Sequence, residues 1–253
     1  MSVDSRGERR FQRGESQKKR YGSSISPQSE FSTTDGVEVV AAEVRATRPE
    51  LVFVTLQNPA GARIRLPIRA DVAFRHGARV GSQFSASDAA VLLDAASEAR
   101  AQELAMGALA RRGRSVREMQ RWLATKGATQ RQSAAVIDRL SSAGLLDDAK
   151  FAESFVRARV LGRGASIWRL RSELARRGIA RDIADRAIAA VTEETGTDEL
   201  GIARREAAKK WRALGKVEPP VAKRRLIAYL RRRGFSGAIV STIVRELARP
   251  SSD

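Results

Sequence analysis

The chain has 253 residues, of which 42% are hydrophobic and 5% aromatic, with no cysteine and a formal net charge of +18. The length suits one large domain or two small ones, and the composition predicts a core of Ala, Leu, Val and Ile while excluding disulfides, Cys-ligated zinc and thiol catalysis. The 39 Arg and 8 Lys point to a polyanionic partner, such as nucleic acid, an acidic protein surface or anionic lipid.

Residues 1–32 are rich in Ser, Gln, Gly, Arg and Glu, and Phe11, Tyr21, Ile25 and Phe31 are too scattered to form a face. This composition predicts a disordered basic arm. It contains no apolar stretch of the kind a secretory signal needs, and no run in the chain approaches the ~18 apolar residues that span a bilayer, so a soluble cytoplasmic protein is expected.

Residues 33–88 change character. Val37–Val44 and Leu51–Leu56 are β-branched and partly alternating, Asn58-Pro59-Ala60-Gly61 is turn chemistry, and Arg63–Ile68 alternates basic with apolar. A small antiparallel β unit of three or four strands is expected, leaning on the helical part because so small a sheet is marginal alone. His76 is the only histidine. With no second imidazole and no thiol, it reads as a solvent-facing loop residue.

From Asp88 the chain turns helical, and Ala and Arg favour that state. Gly127, Gly178 and Gly234 mark an internal repeat. Four residues before them lie Leu123, Leu174 and Leu230; eight before lie Met119, Leu170 and Leu226. Those offsets make one helical stripe, with glycine at the left-handed cap beyond the last turn. A second stripe follows each glycine: Val136 and Leu140, then Ile183, Ala187 and Val191, then Ile239, Ile243 and Leu247. Ser115 with Glu118 fits a capping box, Thr129 with Gln132 and Ser236 are candidate N-caps, and Pro250 stops the last helix. Leader helices are expected over about 88–110, 147–161 and 197–213. The predicted organisation is therefore mostly α: three tandem three-helix repeats over 89–144, 145–195 and 196–250 that form an elongated curved array behind the β unit and the arm.

The arginines follow the repeat. At 100° per residue, Ile167, Leu170 and Leu174 share an arc, and Arg169 and Arg176 fall on the opposite face. Arg225 and Arg232 hold the equivalent places in the third repeat, while in the first the charge shifts to Arg117 and Arg121. Stacked repeats would join these into a broken cationic track. Arginine suits that role through bidentate contact with phosphate or carboxylate. Trp168, Trp211 and Tyr229 are either packing residues or platforms for bases.

Catalytic signals are weak. Gly107–Ser115 resembles a phosphate-binding loop only superficially, since five residues separate its glycines, Arg replaces Lys and no strand precedes it. Asp147-Asp148 reads as a helix N-cap with a first-turn acid rather than as nuclease carboxylates. A single His in the β unit cannot supply a Ser/His/Asp arrangement, so no enzyme is expected, and no cofactor or metal.

Gly144-Leu145-Leu146-Asp147-Asp148, Phe151-Ala152, Val156-Arg157-Ala158-Arg159, the glycine-marked corner, then Ile167, Leu170, Glu173-Leu174 and Gly178-Ile179 resemble the RecX family of recombination regulators. So does Tyr229-Leu230-Arg231-Arg232-Arg233-Gly234-Phe235. The resemblance spans about residues 89–248 and more weakly the β unit. It implies a non-enzymatic regulator that binds the RecA recombinase filament on single-stranded DNA and restrains its extension, ATP turnover and strand exchange. The implied chain acts as a monomer without a membrane, meeting DNA in a sequence-indifferent way. The residues expected to meet the partner are Arg157 and Arg159 from the motif, Arg169, Arg176, Arg225 and Arg232 from the stripe, and Arg117 and Arg121. Arg157 and Arg159 have a competing role, pairing with Asp147, Asp148 or Glu153 to brace the repeat corner. The competing function is a stand-alone helix-turn-helix-like DNA-binding protein. A reader of that kind would gather Asn, Gln and Arg on one recognition helix, whereas the only Asn is Asn58, outside the helices.

Overall fold

A computed structural model describes residues 31–248. Most of the expected arm and Pro250 lie outside the described residues. The β unit is a four-stranded antiparallel sheet of β1 (Val37–Arg45), β2 (Arg48–Gln57), β3 (Arg63–Arg69) and, after the short helix α1 (Ala70–Arg75), β4 (Gln83–Phe84), in the order β3-β2-β1-β4. One face is apolar because Val54, Leu56, Leu66 and Ile68 recur at every second position and are buried. His76 is exposed at the end of α1.

The sheet leans on α2 (Ala86–Arg111), a helix of 26 residues. Ala89, Leu92 and Ala96 in its first half pack into the sheet's core. Ala101, Ala105 and Ala108 in its second half pack into a separate core with Met119, Leu123, Val136 and Leu140. One helix thus serves two cores at different heights, which requires small alanines on more than one side.

The remaining helices are α3 (Val116–Thr125), α4 (Gln130–Ser142), α5 (Asp148–Ala158), α6 (Ile167–Arg176), α7 (Arg181–Glu194), α8 (Glu199–Ala213), α9 (Pro219–Arg232) and α10 (Gly237–Ala248). With α2 they form three units of three in series: α2-α3-α4, α5-α6-α7 and α8-α9-α10. Gly127, Gly178 and Gly234 have φ of 89°, 86° and 86°, so each terminal turn takes the left-handed conformation that glycine adopts cheaply. Thr129 and Gln132 complete a capping box on α4. The second and third units share one core, in which Leu170, Leu174, Leu226 and Leu230 are almost wholly buried.

Between α5 and α6 the chain widens into a π-type turn over Arg159–Arg163 and closes on Gly164, at φ 55°. A Cβ there would strike the Glu206 side chain of α8. The glycine-marked corner is therefore also the place where the third unit presses on the second.

The seams between units repeat one arrangement. At the first, the Ser115 hydroxyl donates to the Arg177 carbonyl at 2.6 Å and the Val116 N–H donates to Asp148 Oδ1 at 2.9 Å. At the second, the Ile167 N–H donates to Glu199 Oε1 at 3.0 Å, and the Arg169 guanidinium donates to the Arg232 carbonyl at 3.3 Å. In both, the start of one middle helix meets the end of the next unit's middle helix, so opposite ends of their dipoles face each other. An acid at the head of the next leader helix satisfies the first free N–H. The capping box expected at Ser115 is half formed: Ser115 accepts from the Glu118 N–H at 3.1 Å. The Glu118 carboxylate turns instead to Arg112 and Arg177, at 3.9 and 3.7 Å. Pro219 and Pro220 open α9, where no later unit follows among the described residues, and Pro has no N–H to satisfy.

Candidate functional site

The arginines singled out from the sequence separate into two groups. Arg157 pairs with Glu194 on α7, with one guanidinium nitrogen 2.5 Å from the carboxylate. Arg159 and Arg169 both pair with Glu173, each at 3.0 Å. Glu173 is buried, its side chain 11% exposed, and two guanidiniums compensate the cost of placing a carboxylate there. Burial alone would raise its pKa. The hydrogen bond from Arg169 and the charges of Arg159, Arg169 and Arg177 outweigh that and hold the carboxyl below its ordinary value. The ion pairs of Arg157 and Arg159 thus run to Glu194 and Glu173 rather than to Asp147, Asp148 or Glu153, although the Glu153 charge also favours the protonated Arg157.

Arg117, Arg121, Arg176, Arg225 and Arg232 form the second group. Each is exposed, and none pairs with a carboxylate among the described residues. Arg117 lies across the first seam, where a Cβ on Gly178 would collide with its stem. Arg225 and Arg232 stand on α9 beside Lys223, Arg224 and Arg231, which are also exposed and without ion pairs among the described residues. These three were not singled out from the sequence. The signal was present: Arg224 and Arg231 are seven residues apart and lie well away from the buried arc of Ala222, Leu226 and Leu230. No acid occurs between Pro219 and Arg233.

Glu218, exposed, precedes Pro219 at the start of α9, and two acids of the neighbouring helices are engaged elsewhere. Glu206 on α8 is buried and takes the Tyr229 hydroxyl at 2.8 Å, Arg233 at 3.1 Å and Lys209 at 3.5 Å. Glu246 on α10 pairs with Arg204 at 2.7 Å. The outer side of α9 is left as a concentrated positive surface, fitted to a polyanion through long-range attraction and bidentate contact. Asp147 caps α5 by accepting from the N–H groups of Ala149 and Lys150. Asp148 accepts from Val116, and burial raises its pKa against that hydrogen bond. No group of acids or histidines suited to a metal occurs among the described residues, and no helix there is long and apolar enough to cross a membrane.

The sequence matches the description "RecX, second three-helix domain" over residues 147–188 and "RecX, third three-helix domain" over 197–244. It is 33% identical over 150 residues to the regulatory protein RecX of Amycolatopsis mediterranei (strain U-32), covering 59% of this chain and 84% of that one. The chain belongs to the RecX family. Its RecX relatives include the regulatory protein RecX of Chromohalobacter salexigens, 36% identical over 138 residues, covering 54% of this chain and 86% of that one. A crystal structure of a regulatory protein RecX has a TM-score of 0.64 at 19% identity, covering 82% of this chain and 98% of that one. At that identity the likeness establishes the shared fold. The matched RecX domains contain Arg157, Arg159, Arg169, Arg176, Arg225 and Arg232, while Arg117 and Arg121 on α3 precede them.

Proposed function

We propose that this chain docks on the RecA filament formed on single-stranded DNA and restrains its extension, ATP hydrolysis and strand exchange, through binding energy and without covalent chemistry. Family membership supplies the partner. The observation that carries the docking surface is the run of exposed cations along α9, none paired with a carboxylate among the described residues; Arg176, Arg117 and Arg121 are likewise exposed on the middle helices of the earlier units. In this reading three successive units lie along the filament and place these guanidiniums against DNA phosphate and acidic protein surface. The chain acts as a cytoplasmic monomer and needs no cofactor. Of the eight arginines expected from the sequence, Arg117, Arg121, Arg176, Arg225 and Arg232 are proposed as direct contacts, Arg157 and Arg159 as braces within the second unit, and Arg169 as a brace across the second seam.

The test is the recombinase's DNA-dependent ATP turnover in the presence of this protein. Arg225→Glu with Arg232→Glu should abolish restraint while the helical circular dichroism stays native. Full restraint by that folded variant would remove α9 from the mechanism.

A further inference from the structure

Four aromatic rings of this chain are each flanked by two cations of the chain itself. Arg45 and Arg65 lie 4.6 and 5.2 Å from the centre of the Phe53 ring, and Arg114 and Lys126 lie 5.2 and 5.7 Å from Trp122. Arg159 and Arg177 lie 5.0 and 4.5 Å from Phe155, and Lys210 and Arg233 lie 5.6 and 4.9 Å from Tyr229. Such pairs form readily where guanidiniums are plentiful. Trp168 departs from the pattern. It stands in the first turn of α6, is 67% exposed, and no cation or ring among the described residues stacks on it. The nearest candidate, Arg169, is turned away, held by Glu173 at 3.0 Å and by the Arg232 carbonyl at 3.3 Å.

The indole lies at the second seam against Gly234, where an added Cβ would lie 3.1 Å from Trp168 Cε3 and 2.6 Å from Ser166 Oγ. Three arginines precede that glycine: Arg233 is paired with Glu206, while Arg231 and Arg232 are exposed and without a carboxylate partner among the described residues. A solvent-facing indole thus adjoins the end of the cationic surface. We infer that Trp168 is a stacking seat for one unpaired base of a single-stranded nucleic acid, with Arg231 and Arg232 holding the flanking phosphates. The inference rests on the reading that the chain meets single-stranded DNA. It favours nucleic acid over an acidic protein face because a base and its two phosphates match a flat ring beside free guanidiniums. Sequence tolerance follows, since every base offers a π-face.

The experiment measures binding of the full chain to a deoxythymidine oligonucleotide and to an abasic oligonucleotide of equal length. Trp168→Leu keeps an apolar cover over Gly234 but removes the aromatic face. It should weaken binding to the thymidine strand roughly 5- to 100-fold, the usual range for one lost base stack, and change abasic binding by less than about twofold. Trp168→Phe should recover much of the loss. In the chain carrying Trp122→Phe and Trp211→Phe, the remaining indole emission should be quenched by the thymidine strand and not by the abasic one. Equal weakening on both strands, no weakening on either, or emission that responds only to the recombinase would each overturn the seat. Failure of the natural chain to bind the bare strand would overturn it too. None of these outcomes bears on restraint of the filament, which ATP turnover measures separately.

Discussion

Between Ser166 and Arg177 the second unit carries four arginines; between Pro219 and Arg233 the third carries five and a lysine. In the second unit Arg169 is bound to Glu173, Arg171 to Asp185 at 2.6 Å and Arg177 to Glu118 at 3.7 Å, leaving only Arg176 unpaired among them. In the third, only Arg233 has a carboxylate partner among the described residues, Glu206. The lesson is that a cationic surface is defined by the placement of acids as much as by the number of bases. Glu118, Glu173 and Asp185 tie one basic stretch into the packing of the helices, while the absence of acids on α9 leaves a similar stretch available. A guanidinium already held by a carboxylate releases little counterion on meeting phosphate and gains little from it.

The widest separation between the two regions should appear in salt dependence. Replacing Arg224, Arg225, Arg231 and Arg232 with Ala should weaken binding to a single-stranded oligonucleotide by about 100-fold or more near 50 mM salt. The slope of log K against log salt should flatten by about 3, because each phosphate that is no longer neutralised takes ~0.7 from it. Replacing Arg157, Arg159 and Arg171 with Ala should leave that slope within about 1 and instead lower the melting temperature. Equal slopes for the two variants would erase the distinction between bracing and docking arginines.

Much of the architecture was legible because its causes are local. The leucine stripe, the left-handed glycines and the Thr129–Gln132 box each depend on residues within one or two turns. α1, at six residues, was not foreseen, and the fourth strand, β4, was allowed for but not located, since at two residues it exists only through pairing with the sheet. The seams were also invisible: Ser115 meets a carbonyl 62 residues away. So were the partners of Arg157 and Arg159. Asp147, Asp148 and Glu153 are near in sequence, but the carboxylates that pair with these arginines are Glu194 and Glu173, brought across by the packing of α7 on α5 and of α6 on α7. Periodicity tells which face a side chain occupies and is silent on what a neighbouring helix presents to it.

The two seams should also differ in their tolerance of a methyl group. Gly178→Ala and Gly234→Ala both place a side chain at φ 86°, which costs about 1–2 kcal/mol by itself. At Gly178 the new Cβ lies 2.5 Å from Arg117 Cβ, which is tied to the α3 backbone, and closer still to its Cδ. At Gly234 it meets Ser166 Oγ at 2.6 Å and Trp168 Cε3 at 3.1 Å, atoms that side-chain rotation can displace. Thermal unfolding should therefore show the larger loss for Gly178→Ala, by a few degrees. The reverse order would place the stiffer joint between the second and third units.

The smallest effect and the sharpest sign come from Glu173→Gln, which converts the second unit partly toward the third. Glu173 has a depressed native pKa, so the folded chain binds fewer protons at this site than the unfolded chain does while the group titrates. Its stabilisation is complete above the unfolded value, about 4.3, and is lost as pH falls through the lower native value. At pH 7 the Gln variant should melt below the natural chain, and the gap should close as the pH falls through the lowered native value of Glu173, below which both side chains are neutral. Gln still offers Arg169 a carbonyl, so the fold should survive. Meanwhile Arg159 and Arg169 lose their counter-charge, and net charge rises by one from +18. Binding to the oligonucleotide should tighten a few-fold, with a salt slope steeper by less than about 1. A stability loss with no gain in binding would mean that these two guanidiniums point away from the strand even when released, and that position on the array, rather than neutralisation by Glu173, keeps the second unit out of the contact.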